Sequence, residues 1–167
     1  MSTRISNFEE EGNEMITRIL VPLDGSEVAE GVLAPVEELA NRLQAEVIFI
    51  RVLNLDSIFG AAPSLAVEQL EEDRAEAADY LWRLSRDWQE KGIDVRSEVV
   101  EGAPASRIVD YARTHGIDLI AMATHGRSGV TRLVLGSVTE QVVRESTAPV
   151  LVIRTNRELT NRRELAA

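Results

Sequence analysis

The chain has 167 residues, 44% hydrophobic and 28% charged, with a formal net charge of −10. That is enough for one domain with a proper core, while the acidic balance excludes the basic stripe that nucleic-acid binding requires. The absence of cysteine excludes disulfides, thiolate nucleophiles and sulfur-held metals, and a single lysine, Lys91, leaves no G-x-x-x-x-G-K-[ST] phosphate loop to be written.

No apolar run approaches the roughly 20 residues that a membrane-spanning helix needs. Met1 to Glu14 is polar and acidic and reads as a loose tail rather than a secretory signal. These features point to the cytoplasm. The first strand is expected over Ile16 to Leu23, followed at once by Asp24, Gly25 and Ser26. Ser26 is a candidate N-cap for a helix reaching Leu43, with Val28, Val32, Val36, Leu39 and Leu43 on one face and Pro35 kinking it or disordering its first turns. A second strand follows over Ala45 to Leu53. After a loop from Asn54 to Ser64 comes a long helix over Ala66 to Lys91, with Val67, Leu70, Ala77, Leu81, Leu84 and Trp88 as its buried stripe. In that helix Trp88 reads as core and Trp82 as peripheral, Glu71-Glu72-Asp73 reads as a solvated face, and Gly92 is placed to end it.

The third strand is expected over Ile93 to Val100, and a short helix runs from Pro104 to Gly116. Asp118 to Ala123 is the fourth strand, Val138 to Glu145 a helix, and Pro149 to Arg154 the fifth strand. Strands alternating with helices indicate a doubly wound α/β fold: a five-stranded parallel sheet with helices on both faces. Residues 15–155 form the domain, and 156–167 a charged carboxyl-terminal tail.

In such a sheet ligands bind beyond the carboxyl ends of the strands. Asp24 follows strand one there, Val52 and Asn54 close strand two, and His125 to Ser137 follows strand four. Gly126 and Gly136 allow backbone N–H groups close to phosphate oxygens. Ser137 opens a helix whose amino terminus attracts anions, and Arg127 and Arg132 add cationic donors. Two readings without a ligand compete. Ser137-Val-Thr-Glu140 matches a capping box, and Asp24-Gly25-Ser26 matches a turn followed by an N-cap. His125 reads as a structural or contact residue rather than a proton shuttle, since no acid stands beside it in sequence.

The segment Gly126, nine residues, then Gly136-Ser137 resembles the glycine motif of the universal stress proteins that bind ATP; VPLDGS over Val21 to Ser26 and APVLVIR over Ala148 to Arg154 are similar to that family too. The resemblance covers about residues 15 to 155. It implies a Rossmann-like, adenine nucleotide α-hydrolase-like sheet of order 3-2-1-4-5 and a bound adenine nucleotide, ATP or else ADP or AMP, with magnesium. By position it puts Asp24 at the ribose or adenine with Pro22 supporting that turn, and Val52 and Met122 beside the base. His125 is grouped with these contacts, and Gly126, Arg127, Gly136, Ser137 and Val138 fall at the phosphates. The motif's first glycine is Ala123 here, a methyl that is harmless at negative φ and crowds the ligand at positive φ.

No histidine pair has metal-site spacing, so no protein metal site is expected, and no G-x-S-x-G elbow follows a strand. The expected function is therefore regulatory binding of nucleotide in a stress response, with any ATP hydrolysis slow. A slow ATPase or phosphotransfer enzyme and a nucleotide-free dimeric scaffold are the alternatives. The resemblance also implies a homodimer through Val150 to Ile153, an apolar strand at one edge of the sheet.

Overall fold

The computed structural model describes residues 15–55, 66–125 and 135–155. Both tails, the stretch 56–65 and the stretch 126–134, which holds Gly126 and Arg127, lie outside the described residues. Within them the order is β1 (Arg18–Pro22), α1 (Glu27–Glu30), α2 (Leu33–Leu43), β2 (Glu46–Leu53), α3 (Ala66–Glu90), β3 (Val95–Glu101), α4 (Pro104–Thr114), β4 (Leu119–His125), α5 (Ser137–Glu145) and β5 (Val150–Thr155). The strands form one parallel sheet in the order β3-β2-β1-β4-β5, as the resemblance implies.

The inner strands are apolar on both faces because both faces are covered. Ile19, Leu20 and Val21 of β1 are fully buried. Ile19 and Val21 pack under α2 and α3 with Phe49, Leu81 and Trp88. Leu20 packs on the opposite face with Ile48, Ile108 and Val142, under α4 and α5. Each such side chain contributes about 1.5–3 kcal/mol through burial. Trp88 meets Phe49 edge-on, ring centres 5.0 Å apart, whereas Trp82 is 57% exposed, as its peripheral position in the sequence suggests. At the edge, β3 carries exposed Arg96, Ser97 and Glu98 in place of an apolar run, charges that discourage further strand pairing.

The single helix expected from Ser26 to Leu43 is divided. Pro35 has no N–H to offer the Gly31 carbonyl, so the path tightens into a Val32 N–H to Ala29 carbonyl bond of 3.2 Å and restarts as α2. Leu43 is exposed, and Ala40 takes the buried place beside Val36. Val67 is 62% exposed rather than part of the α3 stripe. A helix of 25 residues is roughly 37 Å long and an eight-residue strand roughly 26 Å, so the first turns of α3 overhang the sheet. Gly92, with φ +85°, ends α3 as its position suggests.

The amino-terminal end of the sheet is fastened by ions. The Asp118 carboxylate accepts from the Thr17 amide (2.8 Å), the Thr17 hydroxyl (2.8 Å) and the Arg18 amide (2.9 Å). Burial of Asp118 favours its neutral form, but these three bonds prevail and hold its pKa below the ordinary value. Glu46 binds Arg96 and lies 3.4 Å from Arg18; the Arg96 bond is the main cause of its lowered pKa.

Candidate functional site

Chain order reverses around β1: the strands run outward through β2 to β3, and the chain then returns to β4 on the other side of β1. Helices leaving β1 and β4 diverge there, and a crevice opens at their amino ends. A cleft of about 320 Å³ occupies this place. Its floor is Pro22 of β1, Ile50 and Val52 of β2, and Met122 and Ala123 of β4. One wall is the β1–α1 turn, with Asp24, Ser26, Val28 and Ala29; the other is formed by Pro104 and Ile108 of α4 and by Gly136 to Thr139 at the start of α5.

Eight residues singled out in the sequence thus meet in one cleft: Pro22, Asp24, Val52, Met122, Ala123, Gly136, Ser137 and Val138. His125 is the last residue of β4, in register with Thr155. Gly126 and Arg127 lie outside the described residues. The sequence reading passed over Ile50, Ile108, Pro104 and Thr139 as site residues. Ile50 was legible from alternation, two residues before Val52 on the same face. Pro104 and Ile108 were not, since they follow β3, which is two strands away from the reversal point.

The two walls are chemically unlike. Asp24 Oδ1 accepts from the Ser26 amide at 2.9 Å, and Ser26 Oγ accepts from the Ala29 amide at 3.1 Å. The turn-and-cap reading of Asp24-Gly25-Ser26 is therefore correct, and the same turn still lines the cleft. Asp24 is exposed, and among the described residues its other carboxylate oxygen accepts no hydrogen bond. Gly25 is at φ +82°, a conformation that glycine adopts without strain.

The capping-box reading of Ser137 to Glu140 fails. Gly136 is the N-cap of α5, at φ −63° and ψ 153°, with no side-chain cap. The first helical bond, from the Glu140 amide to the Gly136 carbonyl, is 2.9 Å long. Ser137 is thus one residue too far along to cap. The amides of Ser137, Val138 and Thr139 have no acceptor within the helix, and all three residues line the cleft. The second wall is consequently a set of N–H donors that no side chain among the described residues caps, at the positive end of a helix dipole.

Ala123 has no positive φ; Gln44 is the one non-glycine residue at positive φ among the described residues. Its methyl sits on a normal strand, in register with Ile153, and does not strain the backbone.

Between the walls Ile50, Val52, Ile108 and Met122 make an apolar slot. A carboxylate stands at one end and anion-seeking amides at the other. Such a cleft suits a ligand with a flat apolar part, a hydroxyl-bearing part and an anionic part.

The model of the universal stress protein family matches residues 15–154. The chain belongs to the universal stress protein family. Universal stress protein MJ0531 of Methanocaldococcus jannaschii is 33% identical over 147 residues, 86% of this chain and 85% of that protein. MJ0577 of the same organism is 31% identical over 155 residues, 84% of this chain and 96% of its own. The solved structure of MJ0577 superposes with a TM-score of 0.75, covering 86% of this chain and 99% of the other. A family protein from Arabidopsis thaliana with AMP bound has a TM-score of 0.62 at 17% identity, over 86% of this chain and 95% of that one, a likeness of fold.

Proposed function

We propose that this universal stress protein binds an adenine nucleotide in the cleft at the reversal point of its sheet, and acts by binding rather than by turnover. The observation that carries the reading is the uncapped start of α5 facing Asp24 across an apolar slot. The base lies between Val52 and Met122, Asp24 accepts from the ribose hydroxyls, and the amides from Ser137 onward accommodate phosphate oxygens. His125, the last residue of β4, and Gly126 and Arg127, next in the sequence, are proposed as further nucleotide contacts, the latter two for the phosphates. The AMP held by the Arabidopsis relative supports the ligand class.

ATP is the nucleotide proposed, with ADP or AMP as occupants of the same contacts. Magnesium would travel with the nucleotide. Among the described residues no three acidic or imidazole groups gather to hold a metal ion, whereas phosphate oxygens and one hydroxyl such as that of Ser137 suit its demand for oxygen ligands. The described lining of the cleft holds no lysine, and its one carboxylate, Asp24, is the proposed ribose contact, so turnover of ATP is expected far below the roughly 10 s⁻¹ of a typical enzyme.

The regulatory role includes assembly. β5 is an edge strand, with Leu151 37% exposed, and pairing with the β5 of a second copy would cover that edge. Among the described residues no helix is long and apolar enough to cross a membrane; we place the protein in the cytoplasm, in keeping with its lack of cysteine.

The direct test is mass spectrometry of ligand released from purified protein, followed by calorimetric titration with ATP and Mg²⁺. A released adenine nucleotide, or micromolar binding, is the expected result. No heat and no thermal shift at millimolar ATP would refute the reading, and substantial turnover would favour the enzyme.

A further inference from the structure

Behind the β1–α1 turn lies a polar cluster that no nucleotide contact accounts for. Strand alternation sends Ile50 and Val52 to the cleft and Arg51 to the other face of β2. There the Arg51 guanidinium lies against the Gly25 backbone. A Cβ on that glycine would stand 3.3 Å from Arg51 Nη1 and 3.7 Å from Cζ. The guanidinium carbon is 5.8 Å from the centre of the Tyr80 ring on α3, within cation–π range. The Tyr80 hydroxyl donates to Glu30 Oε1 of α1 at 2.9 Å.

Four of these groups, Asp24, Glu30, Arg51 and Tyr80, interact electrostatically. Burial first, and Glu30 second, push the Tyr80 phenol far above its ordinary value; the Arg51 charge opposes this and the Asp24 charge adds to it.

The turn needs such support. Its own bonds, Asp24 to Ser26 and Ser26 to Ala29, fix its shape but not its place on the sheet. Among the described residues the last backbone bond to β2 before the turn runs from the Leu23 amide to the Ile50 carbonyl at 2.9 Å. Beyond it comes Gly25, the residue type with the most conformational freedom to lose. A planar guanidinium pressed on that glycine and braced on an aromatic ring restrains it, and one cation offsets the two nearby acids.

We propose that Arg51 is a positioning residue for nucleoside recognition: braced on Tyr80, it holds Gly25 and so fixes where Asp24 presents its carboxylate to the ribose. The inference rests on the nucleotide reading above. It predicts that Arg51, without touching ligand, governs selectivity for the ribose hydroxyls.

The experiment compares calorimetric affinities for ATP and 2′,3′-dideoxy-ATP in the unchanged protein and in Arg51→Met, which keeps the apolar stem and removes the fork. The unchanged protein is expected to prefer ATP about tenfold, the size of one hydrogen bond to a charged group. Arg51→Met should lose that preference through weaker ATP binding, with dideoxy-ATP affinity within about twofold of the unchanged value. Asp24→Asn should lose the same preference, and adding Arg51→Met to it should change nothing more. A purely structural role would weaken both nucleotides alike. Arg51→Lys keeps the charge and the stem, safeguards the test should Arg51→Met fold poorly, and should fall between the two. Retained preference in folded Arg51→Met and Arg51→Lys would overturn the inference and leave nucleotide binding intact. An unchanged protein that binds both nucleotides equally would also overturn it, whereas one that binds neither would refute the function proposed above.

Discussion

Gly136→Val tests the amides at the start of α5. At φ −63° and ψ 153° the position suits any residue, and a Cβ there meets nothing within 4 Å among the described residues. Folding should hardly register the change. Valine is a poorer N-cap than glycine but restricts the unfolded chain more, and these opposing effects leave a net of under about 1 kcal/mol. The cleft should register it strongly. Three added carbons, each taking the ~30 Å³ that a water occupies in the liquid, fill roughly 90 Å³ at the mouth of the cleft. The cleft itself holds about 320 Å³. A phosphate displaced by that bulk loses bonds to the first amides of α5. Two bonds to a charged group, about 1.5–3 kcal/mol each, amount to a loss of more than about a hundredfold in affinity. Titration calorimetry with ATP, beside circular dichroism and thermal melting, checks both halves. A folded variant binding ATP within about threefold of the unchanged protein would show that the anion does not sit at α5.

Ala123→Gly should change ATP affinity by less than about threefold, since the methyl stands on unstrained backbone and its removal releases nothing; a large gain would mean that the methyl does crowd the ligand. Asp118→Asn should cost about 1 kcal/mol at pH 7, the worth of a partly screened set of hydrogen bonds to a carboxylate. Because the folded pKa of Asp118 lies below its ordinary 3.8, the stabilisation is complete above that value and vanishes as pH falls through the lower, folded one. Denaturant melts should therefore show unchanged and variant proteins converging in acid below pH 4, and a constant gap would refute the assignment. Val152→Asp should leave the monomer folded and weaken dimerisation at least about tenfold, because a carboxylate at a paired strand edge has no partner. Sedimentation of the unchanged protein as a monomer at micromolar concentration would remove the dimer altogether.

What the sequence determined by itself is what depends on local pattern. Runs such as Ile19 to Val21 and Val47 to Ile50 are apolar on successive residues, so both faces had to be covered, and a parallel sheet between helices follows. Gly92 ends α3 because φ near +85° is open to glycine. Trp88 and Trp82 divide as the helical period says they should. The cleft-lining positions Asp24 and Val52 were also legible, from the rule that ligands meet the carboxyl ends of strands, whereas Met122 came through the family resemblance. Tertiary structure decided what depends on how far each element reaches. Val67 and Leu43 fit their helical stripes but lie where no sheet residue covers them. Ser137 carries the right residue type for a cap, but it is already the first residue of α5 and Gly136 holds the N-cap place, so no side chain among the described residues caps the helix. Pro104, Ile108 and Arg51 enter the story only through neighbours brought close by the fold, because a local period says which way a side chain faces and not what waits on the other side.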